Sequence, residues 1–242
     1  MDGFPQIRLM GVTGVLVRFA DRLSEPGNRA ALAYRAAAAA EGWAGVTETT
    51  CALASAYLRV DPTQVDPRDI AAEAQALAEA RDWWAEPLPA GRRLWRIPTV
   101  WGGDLAPDLA QVAAAAGVTP EAALNELSSA RVRVLTLGFA PGQPYLGELP
   151  AHWDVPRRKD LTPEVPAGGV LLAVRQFVLF TAPSPTGWYH VGQTAFRTFR
   201  PEAEMPVALK PGDELTFPAT TPDHLADIAG DPDGGAEVED LP

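Results

Sequence analysis

Leu137-Gly138-Phe139-Ala140-Pro141-Gly142-Gln143-Pro144-Tyr145-Leu146-Gly147-Glu148-Leu149-Pro150 sets three glycines and three prolines into fourteen residues. That density opposes regular structure, so an irregular loop is predicted here. Phe139, Tyr145 and Leu146 must nevertheless be buried or used. Glycines permit positive φ and close backbone approach, and prolines lower the entropy lost on ordering. The stretch is therefore built to hold one conformation, either as a packed barrel corner or as a ligand loop. Residues 131–137 before it, and 170–181, 189–199 and 213–218 after it, are β-prone runs separated by proline and glycine turns. Many strands with turn-rich connections and peripheral helices predict a β-barrel or sandwich.

Upstream of the barrel strands the signals are helical. Pro107 suits a first turn, Leu109, Val112, Ala113 and Ala116 share helical spacing, and Gly117 is a stop. Thr119 and Pro120 open a second short helix. Residues 85–93, with Pro87, Pro89 and Gly91, form the expected linker. Before it, residues 14–20 alternate as a strand. Pro26 and Gly42 bracket a helix with Leu32, Ala36 and Ala39 on its inner face. Residues 46–53 and 56–60 are strands, and Asp66-Pro67 starts a helix carrying Ile70, Ala74 and Leu77. With residues 94–100 as the last strand, the order is β-α-β-β-α-β, the ferredoxin-like one. The expected organisation is thus an α+β domain over 1–88, a β-barrel domain over 89–221, and a tail over 222–242.

The formal charge of −11 in 242 residues argues against a nucleic-acid partner, which would need a basic surface. Seven of the acids lie in residues 222–242, which carry no Lys or Arg and are expected to be a solvated tail. One cysteine, Cys51, excludes an intramolecular disulfide. His152, His190 and His224 are widely spaced, so no protein-bound metal is expected. No run approaches the roughly 20 apolar residues that span a bilayer. A cytoplasmic protein without a membrane partner is expected.

Two further segments carry chemistry. Arg157-Arg158-Lys159 precedes Pro163-Glu164-Val165-Pro166-Ala167-Gly168-Gly169-Val170. The triplet is either an anion clamp or a solvated basic patch. In the segment from Pro183 through Trp188 to Thr194, Ser184 and His190 invite a nucleophile-base reading, but no G-x-S-x-G elbow surrounds the serine.

In order, G-F-A-P-G-x-P-Y-L-G-x-L, P-R, V-P-A-G, S-P-x-G-W and V-G-x-T resemble the KipI and allophanate hydrolase subunit 1 family. This family corresponds to carboxyltransferase subdomains C and D, and its members include the B subunit of bacterial 5-oxoprolinase. Trp101-Gly102-Gly103-Asp104, Pro107-Asp108-Leu109 and Leu209-Lys210-Pro211-Gly212-Asp213 fit the same order. The resemblance implies a small ferredoxin-like domain followed by a cyclophilin-like β-barrel. It implies a subunit of an ATP-dependent amide or lactam hydrolase of 5-oxoprolinase type, converting 5-oxoproline to glutamate. The implied partners are a second barrel subunit of the allophanate hydrolase subunit 2 type and the third 5-oxoprolinase component. ATP with magnesium would be a substrate of that complex. The implied binding set is Gly138, Phe139, Pro141, Gly142, Pro144, Tyr145, Arg157, Pro166, Gly168, Gln176, Trp188 and Thr194.

The chain departs from the family pattern at several places. Leu127-Ser128 and Val132 stand where the family has a His-Ser pair and a Tyr. Val174-Arg175-Gln176-Phe177-Val178 replaces G-G-Q-T-G, and Gln193 replaces the Arg of G-R-T. Bulk is added where backbone would approach a ligand, and one permanent charge is lost. The alternative function is therefore a non-catalytic binding or regulatory module, as in the family's inhibitor of a sporulation histidine kinase. An open or a plugged gap between the 138–149 loop and Arg175 separates the two readings.

Overall fold

The computed structural model describes residues 3–242, which divide into a unit ending at Gly91 and a second, Arg92–Leu241. The first unit runs β1 (Gln6–Met10), β2 (Gly14–Arg18), α1 (Glu25–Glu41), β3 (Val46–Ala52), β4 (Ser55–Val60) and α2 (Pro67–Glu79). Its antiparallel sheet has the order β1-β2-β4-β3. Alternation places Val15, Val17, Ala56, Leu58 and Val60 in one core with both helices. Ser24 caps α1 by accepting from Gly27 N, and Asp66 caps α2 by accepting from Arg68 N at 2.8 Å. Gly42 ends α1 at φ 62°. The face of α1 is turned from the expected one: Ala31, Tyr34 and Ala38 are buried while Ala39 is exposed.

The closing strand of this unit is also corrected. Residues 94–100 belong to the second unit, and the fourth strand is β1, contributed from before the first expected strand. The observed order of the unit is ββαββα.

The second unit contains β5 (Arg92–Arg96), β6 (Thr99–Trp101), α3 (Leu109–Ala116), α4 (Pro120–Ser129), β7 (Val132–Leu137) and β8 (Pro144–Gly147). It continues with β9 (Thr162–Val165), β10 (Gly169–Ala173), β11 (Gln176–Leu179), β12 (Ser184–Thr186), β13 (Tyr189–Thr194), β14 (Glu214–Thr216), α5 (Pro222–Asp227) and β15 (Glu237–Leu241). Nine strands form one curled half-barrel sheet, β15-β5-β14-β7-β8-β11-β10-β13-β6, and β9 pairs with β12. The fold is mixed α/β with a curled sheet of the kind found in a cyclophilin-like barrel. Among these strands only β5 and β14 pair in parallel. The curl brings β6, at one end of the sheet, onto the segment after β14: Thr99 N donates to Pro218 O, and Thr220 N to Thr99 O, each at 2.9 Å. Inside, Phe177 stacks between Trp101 and Phe217 at centroid distances of 6.0 and 5.8 Å.

Residues 222–241, expected as a solvated tail, carry α5 and β15 instead. β15 pairs antiparallel with β5 over five residue pairs. The reason is charge complementarity between strands: acidic β15 lies against arginine-rich β5, with Arg96 and Glu239 2.7 Å apart. Gly234 brings this segment onto the chain near Phe196, where a Cβ would lie 2.4 Å from Phe196 N. No helix among the described residues is long and apolar enough to cross a membrane.

The β5–β14 join is charged. Asp213, with a side chain 0% exposed, pairs with the Arg93 guanidinium and accepts from Arg93 N at 3.2 Å and Lys210 N at 3.1 Å. Next to it Glu214 pairs with both Arg92 and Arg131. Asp213→Ala leaves the partly buried Arg93 guanidinium without its counter-charge and is expected to lower unfolding stability by about 1.5–3 kcal/mol. Urea denaturation of the two proteins measures this; a loss below about 1 kcal/mol would show the pair to be dispensable.

Candidate functional site

The 137–150 stretch is a hairpin. β7 and β8 pair antiparallel, and Gly138 N donates to Gln143 O at 3.0 Å, closing the tip. The expected irregular structure is therefore limited to residues 138–143 before β8 and 148–150 after it, and Pro144 occupies the first position of the strand, where its missing N–H is tolerated. Gly142, at φ 72°, is required by close approach: a Cβ there would lie 2.8 Å from Thr198 O. Phe139 also adopts a left-handed conformation, φ 72°, and is 80% exposed at the tip.

Beside this hairpin lies a cavity of about 300 Å³ whose wall includes Gln143, Tyr145, Arg157, Arg158, Phe180 and Trp188. Trp188 is the aromatic centre of the wall. The Arg157 guanidinium sits 4.9 Å from its ring centroid, and Tyr145 meets it edge-on at 6.2 Å. Arg158 is fixed rather than solvated. It pairs with Asp108, donates to Gln111 Oε1 at 2.9 Å, and lies 4.5 Å from the Tyr189 centroid. Two buried polar atoms of this wall have no partner among the described residues, Gln143 Oε1 and Arg158 Nε. Chemically the cavity offers an apolar aromatic body and a guanidinium at its mouth.

Of the sequence-derived set, Phe139, Tyr145, Arg157 and Trp188 line this cavity. Gly138, Pro141, Gly142 and Pro144 shape the hairpin beside it. Pro166, Gly168 and Thr194 instead build a corner: Gly168, φ 78°, packs where a Cβ would lie 2.3 Å from Thr194 O, and Thr194 Oγ1 donates to Gly168 O at 3.3 Å. Gln176 lies opposite Gly147 in the β8–β11 ladder. Gln143 and Arg158 were outside the set. The signal for Gln143 was present, as the one polar side chain of the 138–143 tip.

The gap between the hairpin and Arg175 is bridged. Arg175 Nε donates to Leu149 O at 2.9 Å, Leu149 N donates to Arg175 O at 2.8 Å, and Phe177 is fully buried in the core. Val174 and Arg175 form the two-residue turn between β10 and β11, with φ of 44° and 63°. Left-handed backbone at these two positions answers to turn geometry. Leu127 and Val132 are likewise core residues.

His190 and Ser184 do not form a nucleophile-base pair. Ser184 Oγ donates to Ala182 O, whereas His190 Nε2 lies 3.1 Å from Gln193 Oε1. Gln193 Nε2 donates to Ala167 O and Thr194 O, leaving its oxygen to accept, so the imidazole proton resides on Nε2. Gln193 thus has a structural task at the family's arginine position. Burial pushes the His190 pKa down, against the Gln193 hydrogen bond and the Asp108 charge.

Two outcomes follow from this geometry. Val174→Gly relieves a β-branched residue at positive φ and is expected to raise stability by about 1 kcal/mol, read by thermal or urea unfolding; a loss would contradict the strain. The lowered His190 pKa means that the folded state binds its proton less readily than the unfolded chain. Stability is full above the unfolded value of about 6.5 and falls as pH drops through the folded pKa. Urea midpoints between about pH 7.5 and about pH 5 should therefore decline in the native chain and decline less in His190→Gln.

The profile of the carboxyltransferase domain, subdomain C and D, family matches residues 5–209. The 5-oxoprolinase B subunit of Bacillus subtilis (strain 168) is 30% identical over 219 residues, covering 88% of this chain and 91% of that protein. The 5-oxoprolinase B subunit of Escherichia coli O157:H7 is 38% identical over 144 residues, 59% of this chain and 66% of that protein. In three dimensions, the crystal structure of TTHA0988 superposes with a TM-score of 0.70 at 30% identity, covering 89% of this chain. The chain spans only 40% of the TTHA0988 chain. The hairpin, its cavity and the curled sheet therefore sit in a chain that belongs to the carboxyltransferase domain, subdomain C and D, family.

Proposed function

We propose that this chain is a subunit of an ATP-dependent amide or lactam hydrolase of 5-oxoprolinase type, acting with a second barrel subunit to open 5-oxoproline to glutamate. Relatives named as the B subunit of 5-oxoprolinase support the class of enzyme. The observation that carries the reading is the cavity beside the 138–143 tip, where Arg157 on Trp188 offers a carboxylate its counter-charge beside an aromatic wall. Binding there orients the amide and strips it of water, which strengthens each hydrogen bond made to it.

ATP with magnesium is a substrate of the proposed complex. Among the described residues no group of three or more His, Cys, Asp or Glu is placed to hold a metal ion. Magnesium that arrives with a nucleotide is held by its phosphates and one or two carboxylates, and both are assigned to another component of the complex. The second barrel subunit is taken to be of the allophanate hydrolase subunit 2 type. The sheet β1-β2-β4-β3 is read as a ferredoxin-like domain in which β1 stands in the place of the closing strand.

One observation favours the alternative, a binding or regulatory module without catalysis. The Arg175–Leu149 bridge closes the gap that a catalytic cleft on that side would need. Co-expression with the second barrel subunit and the third component, followed by a 5-oxoproline-dependent ATPase assay, separates the two. The expected outcome is a stable complex with turnover, and a KM for 5-oxoproline raised at least about tenfold in Arg157→Ala with the complex intact, since a charged hydrogen bond contributes about 1.5–3 kcal/mol. A complex that binds without turnover would support the regulatory module instead.

A further inference from the structure

Residues 154–161 belong to no helix or strand, yet they carry the guanidinium at the mouth of the cavity. Their fastening is concentrated on one residue, Arg158. Its N donates to Gly187 O at 2.7 Å, and its guanidinium pairs with Asp108, donates to Gln111 Oε1 at 2.9 Å and lies 4.5 Å from the Tyr189 centroid. The preceding residue, Arg157, sits 4.9 Å from the Trp188 centroid. Two consecutive arginines thus rest on two consecutive aromatics, but they are held unequally. Arg157 is exposed and has no ion pair among the described residues. An exposed cation–π contact by itself is too weak to keep a long side chain in one rotamer. Where Arg157 stands is therefore decided by what holds Arg158.

Asp108 is placed for that task. It stands at the start of α3, yet its side chain makes no capping hydrogen bond to the helix. Its Oδ2 accepts from His190 N at 2.8 Å, which seats the carboxylate on β13, while its Oδ1 faces the Arg158 guanidinium. The two side chains are 14% and 25% exposed, so water competes little for the pair, and a charge-assisted bond is about twice as strong as a neutral one. We propose that Asp108 is a positioning residue: by holding Arg158 it clasps the 154–161 segment to β13 and thereby presents Arg157 over Trp188 as the carboxylate-binding group of the cavity. The carboxylate role of Arg157 rests on the lactam-hydrolase reading, whereas the clasp does not.

Two experiments test the two halves. Asp108→Asn keeps the shape and an oxygen for His190 N but loses the charge that holds Arg158, and Arg158→Gln removes the other side of the pair. Limited trypsinolysis of the full chain reads the clasp directly, because Arg157 and Lys159 are cleavage points in both variants. Cutting there should quicken at least about tenfold relative to cutting at arginines elsewhere, since only this segment is released. Unchanged cutting at 157–159, or faster cutting everywhere with a lowered melting temperature, would overturn the clasp. In the complex, Asp108→Asn should raise the KM for 5-oxoproline at least about tenfold with kcat within about twofold of native. Adding Arg157→Ala should raise it no further, because residues that act through one group are not additive. A full additional rise, or an unchanged KM in Asp108→Asn, would overturn the positioning role while the lactam-hydrolase reading stands. A native complex that neither binds nor turns over 5-oxoproline removes that reading and the carboxylate role with it, and trypsin still decides the clasp.

Discussion

The buried Asp213 carboxylate is the constraint around which the second unit closes. It sits where β14 starts, and the strand beside it, β5, runs parallel to β14, a pairing that no short turn can enforce. Register here is set by charge. Asp213 fixes Arg93 through backbone and guanidinium together, and Glu214 fixes Arg92 and Arg131, so β5, β14 and β7 are tied at one level. With β5 so placed, its free edge receives β15, and the chain beyond Pro98 passes into β6 at the opposite end of the sheet. A buried ion pair is weak evidence for net stability but strong evidence for a fixed alignment, because any slip strands a charge away from water.

The hairpin that shapes the cavity solves a different problem. Glycine is demanded at Gly142 by the approach of Thr198, whereas Phe139, Val174 and Arg175 accept left-handed backbone without glycine's freedom. At Val174 and Arg175 the surrounding bonds over-determine the turn: Val174 N donates to Val155 O, Arg175 N to Trp153 O, and Arg175 Nε to Leu149 O. Local strain is thus held by a lattice of hydrogen bonds from the segment after the hairpin. The same lattice seals the hairpin on the side of Arg175, while the cavity lies on the side of Trp188.

Much of this was legible in the sequence where a single residue type has a single physical use. Asp66-Pro67 and Thr119-Pro120 announced helix starts, and both cap as expected. The face of α1 was not legible, because a helix that is nearly half alanine offers little contrast between its sides. β1, Gln-Ile-Arg-Leu-Met, is largely exposed and alternates too weakly to declare itself, and its pairing with β2 emerges only in three dimensions. Residues 94–100 read as one strand, yet Pro98, which cannot donate, divides them between opposite ends of a sheet. The acidic end of the chain read as solvated because composition is blind to the arginines of β5. In the site, the aromatic and arginine members were visible as unusual neighbours. Gln143 was visible only as the one polar side chain of the tip, since its burial and unpaired oxygen are properties of surroundings.

The electrostatics of the cavity set what an anion gains by reaching it. Arg158 is neutralised by Asp108, so the net positive charge at the wall is that of Arg157. Arg157 is exposed, and its contact with Trp188 is of the kind that contributes only about 0.5–1 kcal/mol at such a position. An anion reaching Arg157 in the open therefore gains about 1 kcal/mol from the charge, the value for two charges at contact in water. The same pair covered by a second protein surface, at an effective dielectric near 20, interacts about fourfold more strongly. The chain thus presents the recognition groups already oriented, while the low dielectric that makes them effective has to come from whatever closes over Arg157 and Trp188.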